Sequence, residues 1–254
     1  MMNLSGWFRE FFHVWRLSQR QVVLHMLPLF AALGLWAGVF SLYPITAIYA
    51  AIPLMMGLVV GWVHLHRVGY EAVHAEEGVH LPMKSWFVRA MRGVVVLFGF
   101  NLIGLVFFFV PSIAAQILLM PFLIFIMVEG EEPVEALKTN VRLAGSRLGG
   151  VVVFWLASVV GAWVLFMLGW LAPVAAYLTY LDVNGPGYEL LNSTWVMWAV
   201  IAFGFIVAMS INYSIKVAAA ITTYRVLRGQ TVDTSECSVA GAGAASSEVD
   251  SVVW

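Results

Sequence analysis

Residues 21–66 read QVVLHMLPLFAALGLWAGVFSLYPITAIYAAIPLMMGLVVGWVHLH, without an Asp, Glu, Lys or Arg. At about 1.5 Å of rise per residue, one helix through this run would be roughly twice as long as a bilayer core of about 30 Å. The chain is therefore expected to turn back within it. Tyr43-Pro44 is the strong breaker near the middle, because proline lacks an amide donor and pushes its predecessor out of helical geometry. The run predicts two spans, at about 22–42 and 45–63.

The same reading extends along the chain. Gly93 to Val128 is uncharged and interrupted at Pro111-Ser112, predicting spans at about 93–110 and 112–128. Gly149 to Leu181 predicts a fifth, about 151–171, closed by Gly169 and Pro173, and Trp195 onward a sixth, about 195–217, running on to Arg228 as a more polar helix. Composition agrees: 62% of the 254 residues are hydrophobic and 11% charged, against roughly 25% charged in a soluble domain. Residues 21–228 are expected to form a six-span membrane domain, an all-α polytopic transmembrane helical bundle with interfacial amphipathic helices.

Charge then sets the orientation. Folded into six crossings, the chain would place Arg9, Arg16, Arg20, Arg67, Lys84, Arg89, Arg92, Lys138, Arg142, Arg147, Arg225 and Arg228 on one side, with Lys216 near the inner end of the last span. Basic loops face the cytoplasm, so both termini are expected there, with the protein in the cell (inner) membrane. The net charge of −1 offers no basic field for nucleic acid.

The N-terminal stretch, 1–20, is not patterned as a secretory signal, since Arg9, Glu10, Arg16 and Arg20 interrupt it. Trp7, Phe8, Phe11, Phe12 and Trp15 recur at helical spacing, predicting an amphipathic helix in the inner interface with Arg9, His13 and Arg16 toward headgroups. Residues 229–254 are rich in Ser, Ala and Gly and carry acids but no base; they are expected to be a disordered cytoplasmic tail. The lone cysteine, Cys237, falls there and would remain a thiol in a reducing compartment.

Three groups of residues are candidates for chemistry. Arg89, Arg92, Lys138, Arg142 and Arg147 can bind anionic lipid or phosphate, or simply set topology. Pro133 is placed to open a helix in which Val134, Leu137, Val141, Ala144 and Leu148 form an apolar stripe. Asn101, Gln116, Asn212 and Lys216 are polar groups in otherwise apolar spans, fit either to line a pathway or to hydrogen-bond between helices. His64, His66, His74 and His80 lie near Glu71, Glu76 and Glu77, of which Glu71, His74 and Glu77 are the nearest to a metal set. Their spacing matches no common zinc pattern, and a solvated helical face or a pH-sensitive one fits the same residues. Gly34 with Gly38 and Gly57 with Gly61 predict close packing of the first two spans.

No nucleophile elbow, phosphate loop, dinucleotide fingerprint or HExxH occurs, so no catalytic residue and no cofactor is assigned. From Val110 to Arg147, the sequence Val110-Pro111-Ser112-Ile113, then Pro121-Phe122, Met127-Val128-Glu129-Gly130 and PVEALKTNVRLAGSR at 133–147, resembles the membrane domain of glycerophosphoryl diester phosphodiesterases and its stand-alone integral-membrane relatives. Val217 to Arg228 is similar to their closing helix. The resemblance covers the last half of the chain and implies membrane location and topology. It implies no phosphodiesterase activity, because the soluble catalytic barrel has no counterpart in these residues.

The expected function is that of a non-enzymatic membrane protein that organises lipids or protein partners, a second copy of itself included, at the cytoplasmic face. A transporter or permease subunit is the alternative, with Asn101, Gln116, Asn212 and Lys216 along its route. A lipid-modifying enzyme built on Glu129, His74 and Arg142 is the third.

Overall fold

A computed structural model describes residues 4–42, 44–81, 83–106, 113–114, 116–117, 119–184 and 194–230. The expected breaker Tyr43, the Pro111-Ser112 turn and the tail from 231 onward, Cys237 included, lie outside the described residues. The secondary structure among those described is helical: α1 (Leu4–Leu42), α2 (Pro44–Val73), a 3₁₀ turn (Ala75–Glu77), α3 (Met83–Val106), α4 (Phe122–Glu129), α5 (Pro133–Ser146), α6 (Leu148–Asn184) and α7 (Thr194–Arg228).

Six crossings are not supported. Among the described residues two helical stretches are long and apolar enough to cross a membrane, Leu148–Thr179 in α6, mean hydropathy 2.5, and Ala199–Arg228 in α7, mean hydropathy 1.7. Only 17% and 33% of their most apolar windows are buried, whereas the core helix of a water-soluble domain would be mostly buried.

The physical reason for the lower count lies in how the other runs are used. An uncharged run says where charges are absent, not where a helix crosses. The eight residues of α4 are about 12 Å of helix, too short for a core of about 30 Å, and Phe122 to Met127 are buried inside the protein. Early in α3, Arg89 and Arg92 are tied to Glu132. The charged first part of α1 is drawn into the packed core, with Trp7, Glu10, Phe11, Val14 and Ser18 buried.

The expected change of helix at Pro44 holds, α1 ending at Leu42 and α2 opening on Pro44, but α6 runs on through Pro173, as α1 and α2 do through Pro28 and Pro53. A helix tolerates proline where neighbouring groups satisfy the freed carbonyl. Pro133 behaves differently and opens α5 at its first turn, where its missing amide costs nothing.

The core gathers at one end of the molecule. The first part of α1, the end of α2, the starts of α3 and α6, α4, the buried face of α5 and the end of α7 meet there through Val14, Val22, Leu65, Trp86, Phe122, Phe125, Ala136, Phe154, Ile221 and Tyr224. Away from it, the helices leave large apolar side chains exposed, among them Leu35, Tyr49, Met56, Val95, Phe98, Leu168 and Phe203. The aromatic row of α1, expected among headgroups, is part of the packing instead. Trp7 and Phe11 lie 5.2 and 5.8 Å from the ring of Phe154 on α6, and the Trp15 indole donates to Ser214 Oγ on α7 at 3.0 Å. Phe12 remains exposed.

The first two helices pack closely, as expected, but at one glycine of the two pairs: a Cβ built on Gly61 would meet the Leu29 side chain of α1 at 2.6 Å, while nothing lies within 4 Å of one on Gly34 or Gly57. A second close contact joins α6 and α7 through their backbones, where a Cβ on Gly204 would sit 3.2 Å from the Trp170 carbonyl oxygen, and one on Gly169 3.3 Å from Ala208 Cα.

Candidate functional site

At the packed end, the core is closed by a set of buried charges. Glu10 on α1 and Arg225 on α7 approach to 2.7 Å, with side chains 5% and 8% exposed. Arg225 Nη1 lies 3.1 Å from His74 Nε2, and His74 Nδ1 lies 2.9 Å from the Tyr70 carbonyl oxygen. A guanidinium only donates, so Nε2 accepts and the ring proton belongs on Nδ1, where it reaches that carbonyl. Tyr70 stacks on His74 with centroids 4.1 Å apart. Burial pushes the Tyr70 hydroxyl above its ordinary range, with Arg225 pulling the other way.

A second tier surrounds the first. Arg228 pairs with Glu129 through both its Nε, at 2.6 Å, and Nη2, and its guanidinium lies over the Phe125 ring. Gly130 ends α4 in a left-handed turn, φ +67, and its carbonyl accepts from Arg89 Nη1 at 2.5 Å. Arg147, between α5 and α6, donates to the Val226 carbonyl at 2.5 Å. That bond seats the start of α6 beside the end of α7, so the basic ends of the two apolar helices share one side of the molecule.

The five basic candidates therefore have different settings. Arg89 and Arg147 hold backbone carbonyls of neighbouring elements, and Arg92 lies 3.5 Å from Glu132. Lys138 pairs with Glu135 on the surface of α5 at 2.8 Å. Arg142 is exposed, with no ionic partner among the described residues. The buried face of α5 is Pro133, Ala136, Asn140 and Ala144, so of the expected stripe Ala144 packs inward, Val134 and Val141 are turned outward and exposed, and Leu148 opens α6, also exposed.

The metal candidates do not converge. Both ring nitrogens of His74 are engaged, as described above. Glu71 accepts from Arg67 Nε at 3.1 Å and the Leu81 amide at 2.7 Å, and lies 3.1 Å from His80 Nδ1. Glu77 is exposed on the 3₁₀ turn. Among the described residues no group of three or more His, Cys, Asp or Glu is arranged to hold a metal ion. Of the enzyme constellation, Glu129 pairs with Arg228 and His74 with Arg225 at the packed end, and Arg142 is exposed on α5.

No family model, curated protein or solved structure matches the chain.

The intramembrane candidates divide in two. Gln116 and Lys216 line one cavity of about 370 Å³, together with Trp62, His66, Trp155 and Ser158. Asn212 is half-buried on α7, and the side chain of Asn101 on α3 lies outside the description. In the cavity, Lys216 Nζ lies over the Tyr213 ring at 5.6 Å, and His66 Nδ1 is 2.9 Å from the Trp62 carbonyl oxygen. Burial lowers the affinity of His66 for a proton, and that backbone contact opposes the effect.

Sequence reasoning takes Glu10 only as a charge interrupting the N-terminal stretch and groups His66 with the other histidines, not with Gln116 and Lys216. The signal for Glu10 was present, since it shares one helical face with Trp7, Val14 and Ser18 at steps of three and four. His66 stands one turn after Trp62, but its role depends on α4, α6 and α7 arriving from distant sequence.

Proposed function

We propose that this chain is a non-enzymatic helical membrane protein whose charged end meets anionic lipid headgroups at the cytoplasmic face. The observation that carries this reading is α5, which presents exposed Val134 and Val141 beside exposed Lys138 and Arg142. A helix lying in the headgroup region has this pattern, with apolar residues entering the acyl boundary and bases above them. The exposed apolar flanks of α6 and α7 support placement in lipid. The positive-inside tendency supports a cytoplasmic charged end, since Arg147, Arg225 and Arg228 cap both apolar helices there. The resemblance to the membrane domain of glycerophosphoryl diester phosphodiesterases favours the same setting and brings no hydrolytic chemistry with it.

The test is boundary-lipid selectivity of the full chain reconstituted with spin-labelled lipids. Phosphatidylglycerol is expected to be enriched over phosphatidylcholine at the protein surface, and Lys138→Gln with Arg142→Gln to reduce that preference about fivefold per charge, at about 1 kcal/mol each. Equal occupancy by both lipids in the unaltered protein would overturn the reading. A transporter is the second reading, favoured by the meeting of Gln116 and Lys216 in one cavity; solute flux into vesicles that Lys216→Met abolishes would establish it.

A further inference from the structure

Lys216 lies within the apolar stretch Ala199–Arg228. It has no carboxylate partner among the described residues, and none of the described residues lining its cavity is acidic. The Lys216 side chain is exposed at the cavity; an ammonium on an otherwise apolar helix is costly in lipid unless an anion or water meets it, and an ionisable group in such a helix commonly marks a ligand or ion site. The Tyr213 ring supplies partial compensation, which leaves the three ammonium donors available to an acceptor.

The remaining walls define what that acceptor belongs to. Gln116, His66 and Ser158 bring polar groups to the cavity, and Trp62, Trp155 and Leu123 give it apolar sides. The Ser158 hydroxyl donates to the Phe154 carbonyl at 2.6 Å, and its oxygen lone pairs can still accept. A volume of about 370 Å³ is near the lower end of the roughly 300–1,000 Å³ typical of small-molecule sites. It suits a headgroup with the start of one chain, not a two-chain lipid. Gln116 and Lys216 are exposed at the cavity, so the rest of a chain can leave along the apolar flank.

We infer that this cavity binds a single-chain anionic amphiphile, with its carboxylate or phosphate on Lys216 and its alkyl chain against Trp62 and Trp155. The inference goes beyond the surface role of α5 and rests on that reading only in taking the apolar flank to be lipid-covered. Binding is measured in micelles, where insertion plays no part, so a failure of membrane placement appears in vesicle assays and not here.

The experiment is equilibrium binding of radiolabelled palmitate to the purified full chain in an uncharged detergent, with competition by hexadecyl phosphate, hexadecanol and inorganic phosphate. Palmitate is expected to saturate one site. The relative potency of hexadecyl phosphate identifies the preferred headgroup, and hexadecanol and inorganic phosphate are expected to compete poorly. Lys216→Met should weaken palmitate at least about tenfold, the scale of one lost charge-assisted bond, while Lys216→Arg keeps the charge and most of the affinity. Unchanged binding by Lys216→Met would overturn the inference, as would hexadecanol competing as well as palmitate, or inorganic phosphate displacing it. The competition series uses the unaltered chain, so it decides the matter even if a variant fails to fold.

Discussion

Glu10 in the first helix and Arg225 near the end of the last lie 2.7 Å apart, both side chains almost wholly withdrawn from solvent. Removing one member of such a pair leaves a buried charge uncompensated, which costs about 3–5 kcal/mol, more than the pair itself contributes over an apolar replacement. Glu10→Ala is expected to lower the thermal unfolding midpoint sharply. Glu10→Leu with Arg225→Met should recover much of the loss, and a double variant destabilised by the sum of the two single losses would show that the two charges act independently.

Histidines make stability pH-dependent in a predictable direction. Burial, and then the neighbouring His25, lower the proton affinity of His64, while Arg67 lowers and Glu71 raises it by smaller amounts. Burial likewise lowers that of His66. A base with a depressed folded-state pKa binds fewer protons folded than unfolded, so stability rises with pH in this window. The unfolding midpoint should be level above the ordinary histidine value of 6.5 and fall as the pH drops below it. His64→Gln with His66→Gln should flatten that decline; an unchanged slope would locate the titration elsewhere.

How much of this was legible in the sequence varies with range. Helical class follows from apolar runs whose backbone must satisfy itself, and the start of α5 from Pro133, because both are local properties. The number of crossings was not legible. Whether a run such as Phe122–Met127 faces lipid or the interior depends on α7 packing over it, through Tyr224 at 5.0 Å from Phe125. At the candidate site, Lys216 and Gln116 stood out as polar groups in apolar surroundings. Their shared cavity did not, since Trp62, Trp155 and Gln116 reach it from separate elements. The outward turn of Val134 and Val141 was hidden for a related reason: Asn140, polar in sequence, occupies the buried face.

Close contact of α6 with α7 yields a packing prediction. A side chain at Gly204 would press on the Trp170 carbonyl and the Pro173 ring, and overpacking of this kind costs about 1–3 kcal/mol. Gly204→Leu should therefore destabilise the protein. Gly34→Leu, with open space beside it, should be near neutral, and equal effects at both positions would refute the assignment of the tight contact.

A left-handed turn at Gly130 gives a second backbone test. A Cβ there would lie 2.8 Å from Arg89 Nη1, and the φ of +67 suits glycine. Gly130→Ala is expected to cost about 1–2 kcal/mol from the left-handed conformation alone. Gly130→Asn should cost less, because asparagine visits this region more readily; denaturant midpoints of the two variants provide the comparison.

The central claim is that the exposed apolar flank of α6 and α7 is covered by lipid while α5 stands at the aqueous edge. Cysteine labelling addresses it most directly, using Leu168→Cys, Phe203→Cys and Arg142→Cys, each in a Cys237→Ser background, in inverted membrane vesicles treated with an impermeant maleimide. Labelling is predicted at position 142 in intact vesicles, and at 168 and 203 only after detergent. Labelling of 168 and 203 in intact vesicles, at the rate seen for 142, would contradict the account.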